Sequence, residues 1–302
     1  MNEPILYYSY LANTLPEVRA SKDNKALKRP EKSLRKFEEA VANYGAKMLN
    51  IEDYKPSKNV MVWGAEKKIF ANVYLPRREL SDKQRESGFK TILGERGYLK
   101  RDKYYSIGLT NYANEINNEA DFKNEEMPSD RAKDLNIELK PWKQPDKKRK
   151  YVLFCGQTYN DANVNDLNDY QEWLTKTLEF LLEKSDRKII YRGHPLELRG
   201  PTLPEGVRLS TGRTIEQDFA LAATVVSHSS NSCVESVIEG IPSFVTSKKS
   251  VAWDVTSHDL SEINNPKIFD REQWLNNLAY TQWSLKEIEE GLPFKHLGVI
   301  DE

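Results

Sequence analysis

Between residues 151 and 245 the chain repeats one pattern: a short apolar run ends at a polar turn, and a helical stretch follows. The run 151–154 stops at Gly156-Gln-Thr-Tyr-Asn-Asp161, and the run 189–191 at Arg192-Gly-His-Pro195. The run 224–227 stops at His228-Ser-Ser-Asn-Ser232, and shorter strands are predicted at 207–209 and 243–245. Between the first two runs, Leu167, Tyr170, Leu174, Leu178 and Leu181 recur at spacings of three and four, one face of a helix. Thr214 with Gln217 forms a capping box for the next helix, and residues 232–239 read as a helix closed by Gly240 and Pro242. Such alternation favours a parallel sheet with helices over both faces. In an open sheet of that kind the carboxyl ends of the strands face a crevice. The stretch 188–244 therefore sets a histidine, a row of hydroxyls and backbone N–H groups at one sheet edge, which suits a phosphate-containing ligand.

The first half alternates less regularly. Residues 5–8 read as a strand, and a helix is predicted over 30–44, with Pro30 in its first turn and Gly45 just past its end. Leu34, Phe37, Val41 and Tyr44 form its apolar face. Strands are predicted at 47–51, 60–63 and 91–93. Residues 113–150 are rich in Asn, Glu, Asp and Lys, punctuated by Pro128, Pro141 and Pro145. The expected organisation is an N-terminal Rossmann-like domain over 1–112, a polar linker over 113–150, and a C-terminal Rossmann-like domain over 151–302 with terminal helices around 271–283 and 284–290. The expected fold class is α/β, two such domains facing each other across a cleft.

Composition narrows the function classes. The chain is 38% hydrophobic and 30% charged, and it has no apolar run of the about 18 residues that a transmembrane helix needs. The start, Met-Asn-Glu-Pro, has neither the basic nor the apolar region of a signal peptide, so a cytoplasmic location is expected. Cys155 and Cys233 suit a reducing compartment rather than a disulfide framework. The four histidines and two cysteines show no ligand spacing, so no metal site is expected. Residues 1–150 carry 31 Lys and Arg against 23 Asp and Glu, while 151–302 carry 14 against 23. A basic first half suits a polyanionic partner, and equally a set of solvated helix faces. The run Asp-Lys-Lys-Arg-Lys at 146–150 reads as solvated linker in preference to a nucleic-acid patch.

Three constellations could carry chemistry. His194, before a proline that biases it to an extended turn, could bond a diphosphate oxygen and stabilise a leaving nucleotide, or simply cap a strand end. Ser229 and Ser230, with Asn231 and Ser232, offer donors at a helix start. Ser232 and Glu235 also match a capping box, and a Glu235 not used that way could accept bonds from ribose or sugar hydroxyls. Gly94 and Gly97 flank Glu95 and give the backbone unusual freedom around one carboxylate at a strand end. Partly desolvated there, Glu95 could act as a general base on an acceptor hydroxyl; the plain alternative is a solvated loop charge.

Glu95-x-Gly-Tyr-Leu-x-Arg101, followed by Tyr104-Tyr-Ser and Asn111, resembles the N-terminal motif of capsule-polysaccharide glycosyltransferases of the Kdo-transferase type. Tyr191-Arg-Gly-His194-Pro and the Ser229-Ser230 turn look like the His-Pro and Ser motifs those enzymes share with bacterial sialyltransferases. Trp274-Leu-x-x-Leu-Ala-Tyr-x-Gln-Trp283 with Glu287-Ile-x-x-Gly291 resembles a tail common in phage-borne relatives. Lys100-Arg101-Asp102 stands where the capsule pattern has Arg-Pro, so the acceptor does not carry over. The resemblance implies a GT-B fold and a nucleotide-sugar donor, UDP- or CMP-linked, with no further cofactor. Glu95 and His194 would be catalytic. Gly156, Gln157, Thr158, Arg192, His194, Ser229, Ser230, Asn231, Ser232 and Glu235 would bind donor, and Arg96, Tyr98, Lys100, Arg101 and Asn111 acceptor. The resulting expectation is an inverting glycosyltransferase whose leading acceptor is a hydroxymethylated pyrimidine base in phage DNA, reached by extrusion or from the groove. Capsule or surface-polysaccharide synthesis is the first alternative, a nucleotide-sugar 2-epimerase the second, and a non-catalytic nucleotide-sugar binder the third.

Overall fold

Two sheets organise the chain. The structure is a computed structural model and describes residues 3–9, 25–50, 53–64, 76–110, 124–144, 149–159, 162–164, 167–197 and 199–300, apart from the side chains of 25–32, 76–79, 81 and 162. In chain order the elements are β1 (Leu6–Tyr8), α1 (Lys25–Tyr44), β2 (Lys47–Leu49), β3 (Val60–Trp63), α2 (Pro76–Glu86), β4 (Thr91–Arg96), β5 (Tyr105–Leu109) and α3 (Asp130–Asp134). Next come β6 (Tyr151–Cys155), α4 (Tyr170–Lys184), β7 (Lys188–Arg192), β8 (Arg208–Leu209), α5 (Ile215–Phe219), β9 (Ala222–Ser227), α6 (Ser232–Ile238) and β10 (Ser243–Val245). Then follow α7 (Glu272–Ala279), β11 (Gln282–Trp283), α8 (Leu285–Glu289) and α9 (Leu292–His296). Contacts divide the chain into one unit of Met1–Arg131 with Asn276–Glu302 and a second of Ala132–Leu275.

The first unit holds a six-stranded sheet in the order β11-β5-β4-β3-β1-β2. Strands β2, β1, β3 and β4 run parallel, whereas β5 is antiparallel to β4 and β11 to β5. Successive strand residues alternate between two cores. Tyr7, Met61 and Ile92 pack with Phe37, Ala40 and Val41 of α1, on the helix face that the apolar spacing predicted. Tyr8, Val62 and Leu93 pack with Leu80 of α2 on the other side. Helix α1 begins at Lys25, ahead of the predicted start at Pro30, and ends before Gly45, whose φ of 104° suits only glycine. Strand β4 runs beyond residue 93 to Arg96 because β5 pairs along its last residues. Strand β5 and the two-residue β11 are not anticipated from sequence pattern. Trp283, Ile288, Phe294 and Leu297 complete the first of the two cores.

The second unit has five parallel strands in the order β10-β9-β6-β7-β8. The chain winds outward from β6 through β7 to β8, then returns to lay β9 against the other side of β6. The switch point thus lies between β6 and β9, where open α/β sheets place ligands. Both strands are buried throughout, as expected for the centre of a parallel sheet. Tyr170, Leu174, Leu178 and Leu181 of α4 pack on Val152, Phe154 and Ile189. The helix starts where the Asp169 carboxylate accepts from Glu172 N–H at 3.0 Å. The predicted Thr214–Gln217 capping box is present. Within the polar stretch 113–150, Lys140 N–H donates to Ile238 O at 2.9 Å and Lys143 N–H to Gly240 O at 2.7 Å. Gly240 has φ 74°, and a Cβ there would lie 2.2 Å from Pro141 O, so backbone passes over backbone at this point.

Candidate active site

At the switch point of the second unit, Gln157 just beyond β6 and Ser229 just beyond β9 hold each other. Gln157 Oε1 accepts from Ser229 N–H at 2.9 Å, and Gln157 Nε2 donates to Ser229 Oγ at 3.1 Å. Gln157 N–H donates to Tyr170 Oη at 2.7 Å, so α4 also fixes this residue. The two side chains are 4% and 8% exposed, which makes their bonds costly to leave unmade. Gly156 sits under the Tyr191 ring: a Cβ would lie 2.1 Å from Tyr191 Oη. Thr158 follows, half-buried.

Strand β7 delivers His194 to the same edge. His194 O accepts from Glu197 N–H at 2.9 Å, closing a turn with Pro195 at its second position. His194 Nδ1 accepts from Leu196 N–H at 3.2 Å, which assigns the proton of a neutral ring to Nε2, the donor a phosphate oxygen needs. Glu197 ties this turn to the one after β6, accepting from Tyr159 N–H at 2.8 Å and from Arg199 at 3.1 Å. Burial opposes the Glu197 charge, yet the bonds from Arg199 and Tyr159 N–H hold its carboxyl below the ordinary value. The Arg199 guanidinium lies 4.4 Å from the Tyr159 ring centre.

Arg192 is committed inward. Its Nη1 donates to Asp218 Oδ2 at 2.8 Å and to Arg213 O at 3.0 Å. Asp218 is fully buried and also receives Ser210 Oγ at 2.6 Å, Arg213 Nε at 3.1 Å and Tyr151 Oη at 3.3 Å. Burial and the Asp218 charge push the Tyr151 phenol up to about 12.

The Ser229–Ser232 turn is built from its own side chains. Ser230 N–H donates to Ser227 Oγ at 3.1 Å and Ser232 N–H to Ser230 Oγ at 3.3 Å. Three backbone donors of this turn, those of Ser229, Ser230 and Ser232, are thus engaged within the protein. The Ser230 and Ser232 hydroxyls lie 2.8 Å apart and half-buried at the surface of the turn. The Ser232–Glu235 capping box does not form. Asn231 occupies the N-cap position, Ser232 is already helical, and Asn231 Nδ2 donates to Glu235 Oε1 at 3.1 Å. Next to this turn, His228 is buried, with Nδ1 2.9 Å from Thr246 Oγ1 beyond β10 and its ring 4.9 Å from that of Trp173. Ser247 N–H donates to His228 O at 3.1 Å. His228, Thr246 and Asp218 are absent from the candidate list drawn from sequence, because a histidine inside a serine row and an aspartate in a helix have unremarkable local signals. Burial pushes the Cys155 thiol well up and that of Cys233 to about 12, so neither is a thiolate nucleophile near neutral pH.

In the first unit, Glu95 is the fifth residue of β4, half-buried, with its backbone paired to Ser106 of β5. The expected freedom of the flanking glycines is not what the structure uses. Neither has a positive φ. A Cβ on Gly94 would lie 2.3 Å from Phe37 Cζ, and one on Gly97 would lie 2.4 Å from Gln282 Oε1. Both are sites of close approach. Residues 97–104 form the hairpin loop, with Gly97 N–H donating to Tyr104 O at 3.0 Å and Lys100 in the left-handed region at φ 43°. Arg96 Nη2 donates to Arg101 O at 3.2 Å across this loop, and Lys100 and Arg101 are exposed. Burial, then the neighbouring Glu95 charge, drives the Tyr98 phenol well above its ordinary value, against Arg101 and a hydrogen bond with Ser106. Asn111 lies outside the described residues, as do 146–148 of the basic run. Among the described residues no group of three His, Cys, Asp or Glu could hold a metal ion.

No protein-family model and no curated protein matches the sequence. Solved structures do. KpsC of Thermosulfurimonas dismutans, a beta Kdo 2,4 transferase, superposes with a TM-score of 0.57 at 15% identity, over 97% of this chain and 98% of that one. KpsC, beta Kdo 2,7 transferase, from the same organism gives 0.50 at 12% identity, over 98% and 99%. The chain shares the α/β fold of these two transferases. Among the described residues no helix is long and apolar enough to cross a membrane.

Proposed function

We propose that the protein is a GT-B, nucleotide-sugar-dependent, inverting glycosyltransferase acting on a glycan. One observation carries this: each sheet sets its motif residues at the carboxyl ends of its parallel strands, Glu95 on β4 in one unit and His194 with Ser229-Ser230 beyond β7 and β9 in the other. Fold alone does not license a reaction, but a carboxylate on one side and a phosphate cradle on the other supply the groups this reaction needs. The acceptor site belongs to the first unit, with Arg96, Tyr98, Lys100 and Arg101 around Glu95. The Glu95 carboxylate takes the proton from an acceptor hydroxyl as that oxygen attacks the anomeric carbon. The bond from that carbon to the donor phosphate breaks, and the nucleotide leaves with its charge met by His194 Nε2–H and the Ser230 and Ser232 hydroxyls. Attack from the face opposite the leaving group inverts the anomeric centre.

The Kdo-transferase likeness makes capsule or surface glycan the leading acceptor, and a CMP-linked acidic sugar the leading donor. The DNA-base acceptor draws no support from the fold. A lone basic surplus in the first half does not revive it, because Lys100 and Arg101 are exposed loop charges. The test supplies CMP-Kdo and a UDP-hexose, each alone, with a Kdo-bearing glycan, or with hydroxymethylated DNA, and follows nucleotide release and product mass. Glycan-dependent release is expected. Conversion of the donor without any acceptor to an isomer of the same mass, resolved by proton NMR, would favour the epimerase, and DNA-dependent release the base-modifying enzyme. Glu95→Gln is expected to lower turnover at least about a hundredfold while donor still binds; turnover at the wild-type rate would remove Glu95 from the chemistry.

A further inference from the structure

Strand β11 comes from the far end of the sequence, yet it completes the sheet that carries Glu95. Glu95 stands opposite Ser106 in the β4–β5 pair, and Ser106 stands opposite Gln282 in the β5–β11 pair. Directly opposed residues in antiparallel pairs project from the same face, so Glu95, Ser106 and Gln282 form one polar row across three strands.

Gln282 is fully buried, and its amide has no freedom to turn. Oε1 accepts from Leu99 N–H at 3.0 Å, while Nε2 donates to Leu278 O at 3.3 Å and to Thr281 Oγ1. Rotating the amide would set its oxygen against Leu278 O and leave Leu99 N–H facing a donor. Gly97 is pressed against the same amide, since its Cβ would sit 2.4 Å from Gln282 Oε1 and 2.8 Å from Tyr104 O. The segment bearing Gln282 is itself clamped. Arg131 donates to Gln282 O, pairs with Glu287 at 2.7 Å, and lies over the Trp283 ring at 4.4 Å.

We propose that Gln282 is a positioning residue for Glu95. Its buried amide holds the 97–99 turn and so fixes the end of β4 from which Glu95 projects. The assignment rests on Glu95 being the base of the proposed transfer. A two-residue strand with little pairing of its own is then explained: it carries an amide to the loop that follows the carboxylate.

The test compares full-length wild type, Gln282→Met, Glu95→Gln and the double variant. Hydrogen exchange of residues 97–104 is expected to quicken at least about tenfold in Gln282→Met, with β6 and β9 unchanged, because Leu99 N–H loses its acceptor. Turnover with the CMP-Kdo and glycan pair is expected to fall about ten- to a hundredfold at an unchanged donor KM, the scale of a misplaced catalytic group. In the Glu95→Gln background, Gln282→Met is expected to cost nothing further, whereas a merely structural role would lower both backgrounds alike. Unchanged exchange at 97–104, or equal losses in both backgrounds, overturns the proposal. Glu95→Gln at the wild-type rate overturns the base assignment and the positioning with it. An inactive Glu95→Gln beside a fully active, folded Gln282→Met overturns the positioning alone. Should Gln282→Met not fold, Gly97→Ala disturbs the same contact from the loop side, and it is expected to show the same exchange signature and the same dependence on Glu95.

Discussion

Gly94→Ala separates two meanings of a glycine beside the carboxylate proposed as the base. Gly94 has no left-handed φ, so its backbone conformation is open to any residue. What excludes a side chain is Phe37: the new Cβ would meet its Cζ at 2.3 Å and Cε1 at 2.8 Å, with Met61 Cε at 3.2 Å. Ordinary carbon contacts lie at about 3.5–4.0 Å, so ring and strand must part by more than about 1 Å. The ring is poorly placed to yield. It is fully buried, with Trp63, Tyr105 and Tyr7 at centroid distances of 4.8, 5.4 and 6.3 Å. Overpacking of this kind costs about 1–3 kcal/mol. Taking about 2 kcal/mol for a unit of this size, thermal unfolding of the first unit should fall by about 4–8 °C. The decisive measurement is a double-mutant cycle with Phe37→Leu, followed by near-ultraviolet circular dichroism during thermal and urea unfolding. Phe37→Leu alone opens a cavity and destabilises, but in the Gly94→Ala background the shorter side chain makes room for the methyl. A coupling of at least about 1 kcal/mol, in the sense that the double variant is more stable than the sum of the singles, is expected. Additive losses, or Gly94→Ala at wild-type stability, would refute the packing account and return the glycine to a role in backbone freedom.

Two further outcomes follow from the buried charges. Asp218→Ala removes the charge partner of Arg192 and Arg213 and the acceptor of Ser210 Oγ, while Tyr151 Oη keeps Asp218 O; because water reaches both guanidinium groups, a loss of about 3 kcal/mol in urea unfolding of the second unit is expected, against about 1 kcal/mol or less for Arg213→Ala. A loss under about 1 kcal/mol for Asp218→Ala would mean that the cluster does not anchor the sheet edge. Burial pushes the Glu287 carboxyl up, but the bonds from Arg131, Ser284 N–H and Ser284 Oγ outweigh it and hold the group below its ordinary value of 4.5. A depressed folded value contributes stability that is complete above the unfolded value and is lost as pH falls through the folded one. Below about pH 4.5 the first unit of Arg131→Ala should therefore lose stability less steeply than wild type, as read from acid titrations of urea midpoints; parallel curves would dissociate Glu287 from the effect.

What could be read from sequence, and what could not, divides by the range of the cause. The α1 and α4 faces, the Thr214 cap and the strands of the second unit were legible because each depends on neighbours within a few residues or on burial with a fixed period. The edge residues Gln157, His194 and Ser229 were legible for a related reason: an apolar run that stops at a polar turn marks a strand end wherever that strand lies in the sheet. Which edge groups meet was not legible. Gln157 meets Ser229 only because the sheet order brings β9 back beside β6, and nothing local to either residue encodes that order. Ser232 and Glu235 matched a capping box but were displaced from it by one residue, since Ser230 and Asn231 organise the turn first. Glycine is the hardest residue to read, because the absence of a side chain looks alike whether φ demands it or a neighbour fills the space. At Gly94 and Gly97 the neighbours are Phe37 and Gln282, one upstream of the motif and one near the other end of the sequence. The pattern around Glu95 therefore marks a crowded strand end more than a mobile one. A base whose carboxylate must meet an acceptor in one geometry gains more from that crowding than from freedom, because each alternative position lost is entropy that the transition state need not supply.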